Sequence, residues 1–503
     1  MKQIGIRVLA LILAGIMSFS ALSCAKKETP SADTGNSAPA KTDATADHDG
    51  PADHDGPADK SGGTDPGEPT PGDASEEAAG LAETEWPVPD YSGFVMPAET
   101  GELTVYTTAM LGVTLTPAVE IFKTQYPGVG VTVKTLGDDE YEALVRTELP
   151  AGRGPDLLFS FGIDLPDIFK SITAGIFEDL NPYFMNDPEF LPEEYVEGVL
   201  DGGLYRGRRY FLPVEYICPV IGTTAETLED AGLRPEDFSL WENFIDALIR
   251  YKERVPEGDM LLVPLGHQNA VELYDLFEYA GFEAIDYAKG TASLDEAKMK
   301  RIADAAKAYY REERAFYMDN VLGVALVERK GLFVGELNAT YSVYGLMRGL
   351  RAQNETPLIF AMPDCHDGVT ARICSLAALP QGAKNKLNAY RLLKILLSEE
   401  LQGGQNATGL SNLRIGLPVN KNALRGMVYG TNQKYPDVDG TVITEEDAAM
   451  LFGLVSSPTR AEIIPPTVKR YLQLEIFPYV RGEKGWDDCW KRFVSTLELY
   501  ASE

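Results

Sequence analysis

Strand-like and helix-like segments alternate without interruption between residues 103 and 161. Residues 103–106 and the alternating valines of 129–133 indicate two strands, and the apolar run of 156–161 indicates a third, buried strand. Thr116 followed by Pro117 is typical of a helix start, and residues 141–149 have apolar side chains at helical spacing. Because each strand is separated from the next by a helix, the strands must pair in parallel. The sequence predicts an α/β fold.

The same alternation continues through the rest of the chain. Residues 261–265 and 358–362 indicate further strands, and residues 387–401 and 468–500 are mainly helical in pattern. Ser293 and Glu296 have the spacing of a capping box at the start of another helix. A chain of 503 residues exceeds what one compact core usually holds. We therefore expect two α/β lobes.

The amino terminus has the pattern of an export signal. Lys2 and Arg7 precede an apolar stretch over residues 8–22, which is shorter than most membrane spans. Ser23-Cys24 follows at once and resembles the lipobox of bacterial lipoproteins, which predicts a signal peptide over 1–23 and lipidation of Cys24. The alternative is an ordinary signal peptide followed by a coincidental cysteine. The protein is expected on the outer face of the cytoplasmic membrane, or in the periplasm of a cell with an outer membrane.

Residues 24–98 differ sharply in composition from the rest. Gly, Pro, Ala, Ser, Thr and Asp dominate, and the hexapeptide of residues 46–51 is repeated at 52–57. Residues 25–100 contain 17 acidic and 4 basic residues. Such a segment buries too little apolar surface to offset the entropy lost on ordering. The composition predicts a disordered acidic tether.

Charge and residue counts argue against several classes of function. The chain has 45 Lys and Arg against 76 Asp and Glu, a net charge of −31, so we expect no nucleic-acid partner. It has only four His and no nucleophile elbow, zinc-protease, P-loop or paired C-x-x-C motif. We therefore expect no catalytic residues, no metal and no cofactor. A hydrolase that uses two carboxylates remains an alternative, because carboxylates are abundant.

Two cysteines in the later part of the chain allow two interpretations. Cys365 and Cys374 lie nine residues apart on either side of Asp367-Gly368, which is typical of a turn. An exported protein permits a disulfide between them, whereas two separately buried thiols are the alternative. Spacing alone leaves both possibilities open.

Several short motifs occur in an order that resembles one known family. The first is Leu103-Thr-Val-Tyr-Thr107, and the second is Phe122-Lys-Thr-Gln-Tyr-Pro-Gly128 with Val131-Thr-Val133 after it. The others are at residues 151–156, 174–183, 204–213, 374–380 and 416–420. Their order and spacing resemble the extracellular solute-binding proteins of bacterial ABC transporters, in particular family 1, the maltose-binding-like proteins. A lipobox followed by a tether is also similar to members of this family.

The resemblance implies a two-lobed, type II periplasmic-binding-protein-like fold with hinge strands between the lobes. It places the first lobe at 99–213 and 364–425, and the second at 214–363 and 426–503. The chain would cross between lobes near residues 213–216, near 362–364 and, third, around 420–430. Ligand would bind in the cleft between the lobes and favour a closed form, which a membrane permease recognises.

Candidate ligand-binding residues follow from the ends of the predicted strands, because parallel sheets bind ligands at the carboxyl ends of their strands. Tyrosine rings can cover the C–H face of a sugar, and carboxylates, amides and hydroxyls can bond its hydroxyl groups. Glu215 could instead serve the hinge. The candidates from strand ends and the first crossing are Tyr106, Thr107, Thr108, Asp138, Asp139, Tyr141, Ser160, Phe161, Glu215, Tyr216, His267, Gln268 and Asn269. Tyr341 and Tyr344 are added because they lie in a Gly- and Tyr-rich segment that resembles the family's late ligand loop.

The resemblance, together with the lipobox and the candidate residues, implies a monomeric lipoprotein that captures a sugar or oligosaccharide and delivers it to an ABC importer. Two other functions remain as alternatives: a surface-tethered hydrolase that uses cleft carboxylates, and a receptor subunit that reports ligand without transporting it. The excess of acidic residues keeps a polyamine or another cationic solute as an alternative ligand.

Overall fold

The structure is a computed structural model, and its described part is almost all of the chain after residue 88. The described residues are 89–99, 101–165, 167–262, 271–310, 326–335, 340–405, 411–413, 415–434 and 442–502. The predicted signal peptide, Cys24 and the tether up to residue 88 lie outside these ranges.

The chain already contacts the folded part before residue 98, where the tether is predicted to end. The Tyr91 hydroxyl donates to an oxygen of Asp179, and the Phe94 ring lies 5.0 Å from the ring of Tyr183. Two aromatic side chains therefore find partners in a segment whose overall composition predicts disorder. The described packing starts at Tyr91, not at residue 99.

Seven strands form the large sheet of the described residues, in the order β14-β6-β13-β3-β1-β2 with β15 beside β13. β1, β2 and β3 are parallel, β6 runs antiparallel to β13 and β14, and β13 is antiparallel to β3 and β6 but parallel to β15. Its strands are β1 (Glu102–Thr108), β2 (Gly130–Leu136), β3 (Leu157–Phe161), β6 (Leu212–Ile217), β13 (Thr370–Ala378), β14 (Leu417–Pro418) and β15 (Arg460–Glu462).

A second, small sheet has the order β12-β7-β11-β8, in which β8 and β11 are parallel. Its strands are β7 (Val220–Thr224), β8 (Asp259–Leu262), β11 (Gly331–Gly335) and β12 (Pro357–Ala361). Two short hairpins complete the strands: β4 (Leu204–Tyr205) with β5 (Arg208–Arg209), and β9 (Ile285–Asp286) with β10 (Thr291–Ala292).

Helices connect the strands in the way that parallel pairing requires. Those before β8 are α1 (Gly112–Gln125), α2 (Asp138–Glu148), α3 (Ile168–Thr173), α4 (Asn181–Met185), α5 (Glu197–Leu200), α6 (Ala225–Ala231) and α7 (Trp241–Arg254). The later ones are α8 (Val271–Glu278), α9 (Glu296–Tyr309), α10 (Thr340–Ala352), α11 (Lys386–Leu396), α12 (Glu399–Gln402), α13 (Lys421–Lys434), α14 (Glu445–Val455), α15 (Pro466–Tyr471), α16 (Phe477–Val480) and α17 (Trp486–Ser502).

Two helix starts differ from the sequence expectation. Helix α1 begins at Gly112, one turn before Pro117, and the Thr116 hydroxyl donates to the Gly112 carbonyl at 2.8 Å instead of capping the helix. Helix α9 is capped by Asp295, which accepts from the Lys298 backbone N–H at 3.0 Å, so Ser293 is not its cap. Both helices are present as predicted, but α1 starts earlier than predicted and α9 has a different capping residue.

Two hydrophobic cores divide the described fold. The first surrounds the large sheet and reaches the α10 face of the small sheet, and the second packs helices α7, α8, α9 and α15 to α17 on the other face. We refer to the large sheet with the first core as the large-sheet body, and to the small sheet with the second core as the small-sheet body.

The chain passes between the two sheets and cores at three places. It leaves β6 at Ile217 and enters β7 at Val220, so residues 213–216 lie inside the strand that precedes this passage. The second passage joins β12 to β13 through residues 362–369. In the third, Ile463 packs in the first core and Ile464 in the second, while residues 421–434 form helix α13. The passage expected around 420–430 is thus found at 463–464.

Cys365 and Cys374 are buried thiols that form no disulfide, which decides between the two interpretations of their spacing. Cys218 and Cys489 are also buried thiols. Burial raises the pKa of Cys218 to about 12 and that of Cys365 to about 11, so both are protonated at neutral pH.

These four thiols should be almost unreactive in the native protein, since the thiolate is the reactive form and all four are shielded. In a Cys24→Ser chain treated with Ellman's reagent, we expect labelling about a hundredfold slower than for a free thiol. Unfolding in urea without reductant should expose four reactive thiols. Release of only two would show that a disulfide joins the other pair.

Candidate functional site

The carboxyl ends of three parallel strands meet at one edge of the large sheet. β1 lies between β2 and β3, with Thr108 opposite Leu136 and Thr107 opposite Phe159. The segments that leave this edge are the turn before α1, the start of α2 and the 3₁₀ turn Gly162–Asp164. Parallel sheets bind ligands at such an edge, since side chains of successive connections converge there. We refer to it as the carboxyl edge.

The predicted residues at the end of β1 supply buried hydroxyl groups. Thr107 and Thr108 are both fully buried, and neither hydroxyl has a hydrogen-bond partner among the described residues. Ser160, at the end of β3, is also buried and donates to the Phe161 carbonyl at 3.1 Å. The edge therefore has hydroxyl groups whose hydrogen-bonding capacity the described fold uses only in part.

A tyrosine, a serine and a carboxylate come together at the carboxyl edge. Tyr141 is fully buried in the first turn of α2, close to Ser160 and to Asp164. Burial raises the pKa of Tyr141, the Asp164 carboxylate raises it further, and the Ser160 hydroxyl partly opposes this. The phenol therefore stays protonated at neutral pH. Of the predicted residues, the structure brings Thr107, Thr108, Tyr141 and Ser160 to this edge, next to Phe161.

Three residues at the carboxyl edge were missed by the sequence analysis. Met110 follows β1 and is 37% exposed, and Ile163 follows β3 and is 62% exposed. Asp164 ends the 3₁₀ turn and is partly buried. The candidate set stopped at Phe161, although the same strand-end rule extends to the two or three residues beyond it. The edge thus combines polar groups with exposed apolar side chains.

Tyr106 takes part in packing within the large-sheet body. Its hydroxyl donates to Glu148 at 2.7 Å and accepts from the Lys134 ammonium at 2.5 Å. The same ammonium lies 4.5 Å from the centre of the Tyr106 ring. Burial raises the pKa of Tyr106, the Lys134 bond lowers it and the Glu148 bond raises it. These contacts direct the side chain to α2 and β2 and away from the cluster around Ser160.

Glu215 and Tyr216 make their hydrogen bonds inside the fold. The Glu215 carboxylate is fully buried and accepts from the Ser375 hydroxyl at 2.7 Å and from the backbone N–H groups of Ile415 and Gly416 at 3.0 and 3.4 Å. The Tyr216 hydroxyl donates to the Val455 carbonyl at 2.5 Å. Both lie in β6, just before the first passage, and their contacts favour the hinge role over ligand contact.

The remaining predicted residues are placed only in part. Tyr344 is buried in α10 and its hydroxyl donates to the Val428 carbonyl of α13 at 3.0 Å. Tyr341 lies in the first turn of α10, and Asp138 and Asp139 open α2, but their side chains lie outside the described set. His267, Gln268 and Asn269 follow β8 and lie outside the described residues.

The part of the chain that the structure describes contains no candidate metal cluster and no candidate membrane-spanning helix. Within it, no group of three or more His, Cys, Asp or Glu side chains has a geometry that could hold a metal ion. No helix in those ranges is both long and apolar enough to cross a membrane.

Residues 71–314 match the model of a family described as bacterial extracellular solute-binding protein. This segment contains β1 to β3 and the residues of the carboxyl edge. No curated protein sequence matches the chain.

Solved structures of the same type share the fold at low sequence identity. The sugar-binding protein MalE from Xanthomonas citri has a TM-score of 0.57 and 14% identity, and the match covers 80% of this chain and 97% of that one. A putative oligosaccharide periplasmic-binding protein from Synechococcus sp. MITs9220 has a TM-score of 0.53 and 16% identity, and the match covers 80% of this chain and 99% of that one. The cyclic alpha-maltosyl-1,6-maltose binding protein from Arthrobacter globiformis has a TM-score of 0.50 and 15% identity, and the match covers 80% of this chain and 98% of that one.

The predicted α/β periplasmic-binding-protein-like fold is thereby confirmed. Over residues 71–314 the sequence is similar to the bacterial extracellular solute-binding proteins.

Proposed function

We propose that this protein captures a sugar or oligosaccharide between the two bodies and delivers it to an ABC importer. The observation that carries the proposal is the cluster of Tyr141, Ser160 and Asp164 at the carboxyl edge, where the exposed residues Met110 and Ile163 follow β1 and β3. Binding sites for small molecules combine a mainly apolar lining with a few convergent polar groups.

The chemistry of this edge suits a polyhydroxylated ligand. A carboxylate accepts hydrogen bonds from sugar hydroxyls, and a protonated phenol and a serine hydroxyl can each donate or accept. Ile163 and Met110 can cover the C–H face of a ring through apolar contact. MalE from Xanthomonas citri and the Arthrobacter globiformis protein are sugar-binding proteins with a similar fold, which supports this ligand class.

The rest of the transport assignment follows from the family and the amino terminus. We propose that lipid at Cys24 holds the protein at the outer face of the cytoplasmic membrane, and that the closed form docks on a permease. The lobes of the proposal correspond to the large-sheet and small-sheet bodies. His267, Gln268 and Asn269, which follow the carboxyl end of β8, remain proposed ligand contacts from the small-sheet side.

Asp164→Ala should weaken binding of the cognate sugar at least about tenfold, because a charge-assisted hydrogen bond is lost while the partly buried side chain supports little packing. A thermal-shift panel of mono- and oligosaccharides, polyamines and amino acids identifies the ligand first. A ligand at 100 times its dissociation constant should stabilise the fold by about 2.7 kcal/mol. Titration calorimetry with that ligand then compares the variant with the parent.

Glu120→Ala is the matched control, since Glu120 is an exposed carboxylate on α1. It should bind as the parent does. Equal affinity of Asp164→Ala and Glu120→Ala would contradict the proposed site. A shift with polyamines alone would overturn the sugar assignment, and consumption of the bound compound would establish the hydrolase instead.

A further inference from the structure

One carboxylate of the large-sheet body is bonded to two tyrosines of the small-sheet body. Asp167 precedes α3 and is 6% exposed. It accepts from the Tyr287 hydroxyl at 3.0 Å and from the Tyr500 hydroxyl at 2.5 Å. Tyr287 follows β9 and Tyr500 lies in the last turn of α17, and both pack against the second core. These bonds join segments 120 and 333 residues apart in sequence.

Aromatic and cationic contacts reinforce the same junction. The Phe169 ring, which packs against the first core, stacks on the ring of Tyr287 with centres 5.5 Å apart and planes at 23°. The Lys170 ammonium lies 3.8 Å from the centre of the Tyr500 ring and donates to the Tyr500 carbonyl. A cation over a tyrosine face and an offset ring pair are each favourable beyond simple burial.

Capping of α3 orients the Asp167 carboxylate independently of its bonds to the two tyrosines. One oxygen accepts the backbone N–H groups of Phe169 and Lys170, both at 3.0 Å, and so caps α3. The other oxygen is left to face the two hydroxyls. Burial and the nearby Asp167 charge raise the pKa of Tyr287 and of Tyr500, so both phenols stay protonated and donate. The acceptor is pre-oriented, which lowers the entropy lost when the bonds form.

We propose that Asp167, Phe169 and Lys170 form a clasp with Tyr287 and Tyr500 that holds the two bodies together without ligand and sets the fraction of closed molecules. Asp167 lies three residues after Asp164, so the clasp is attached directly to the carboxyl edge. Each hydrogen bond to a charged group that is lost should shift the closed-to-open ratio by about tenfold, or about 1.4 kcal/mol. The inference extends the proposed function, but its test needs no ligand.

The test measures the distance between the two bodies in the full chain. Spin labels at Lys123→Cys on α1 and Glu236→Cys before α7 report this distance by pulsed electron resonance, in a Cys24→Ser background. Both labelled positions are exposed. The four native cysteines that remain after Cys24 is replaced are buried, so they should not take up the label. The double change Tyr287→Phe with Tyr500→Phe keeps both rings and removes both hydroxyls. We expect it to shift the distribution to longer distances or to broaden it.

Tyr479→Phe is the matched control, because the Tyr479 hydroxyl donates to Asp304 at 2.5 Å within the small-sheet body. It should leave the distance distribution unchanged. If the double variant gives the same distribution as Tyr479→Phe and the parent, the clasp proposal is wrong. If the double variant fails to fold by circular dichroism, Lys170→Gln decides instead, since the partly buried Lys170 ammonium adds a cation contact and one hydrogen bond to the junction among the described residues. An unchanged distribution there overturns the proposal even if the edge binds sugar.

Discussion

Glu215→Ala is expected to lower the free energy of unfolding by about 3–5 kcal/mol, the largest single effect we anticipate in this protein. The carboxylate is fully buried and accepts from the Ser375 hydroxyl and from the backbone N–H groups of Ile415 and Gly416. Alanine leaves these three donors without their acceptor and opens a cavity at the strand that leads into the first passage. Urea denaturation followed by circular dichroism measures the loss.

Two further variants separate this structural role from ligand contact. Glu215→Gln keeps one acceptor oxygen and should cost about half as much. Glu120→Ala, on the exposed face of α1, should stay within about 0.5 kcal/mol of the parent. A Glu215→Ala protein of unchanged stability and abolished ligand binding would instead restore Glu215 to the binding site.

Glu462 should make the folded protein less stable as the pH rises through neutrality. It lies in β15, next to the third passage, and burial raises its pKa to about 7. Arg460 opposes that increase, whereas Glu283, Asp364 and Glu278 add to it. Ordinary glutamate has a pKa of 4.5. Between these two values the folded state binds the proton that the unfolded state releases, so the free energy of unfolding falls as the pH rises.

The contribution of Glu462 is fully present below pH 4.5, decreases from there to about pH 7, and is lost above it. The shift corresponds to a fall of up to about 3 kcal/mol. Glu462→Gln should remove this fall and exceed the parent in stability at pH 8 by about 1–3 kcal/mol. Urea denaturation at pH 5, 6, 7 and 8 compares the two proteins.

Glu498→Gln is the control for this series, because Glu498 is exposed on α17. Its pH profile should coincide with that of the parent. A Glu462→Gln profile parallel to the parent's across the whole range would show that the carboxyl is already ionised in the folded state at pH 5.

The parallel part of the large sheet could be predicted from sequence because its signals are local. The valine alternation of β2 and the apolar run of β3 lie within single elements, and the helices between them leave one way to pair the strands. The strand-end rule then located Tyr141 and Ser160, since it depends only on where a strand stops.

Other parts of the site depend on contacts that no local pattern contains. Tyr106 ends in contact with Lys134 and Glu148, and Tyr344 with Val428, because packing against α2 and α13 decides where each ring points. Met110 and Ile163 were missed because a single exposed apolar residue has no period. The hydrogen bond from Tyr500 to Asp167 joins residues 333 apart in the chain, which sequence spacing cannot indicate.

The junction of Tyr91 with Asp179 and of Phe94 with Tyr183 also has a mechanical consequence. Both partners belong to the large-sheet side, near α4. A pull on the amino-terminal part of the chain is therefore taken up by that body first, through a side-chain bond and a ring contact ahead of β1. In a protein held by its amino terminus, the large-sheet body would therefore be the held part, and the small-sheet body would be the part that moves when the two bodies open or close.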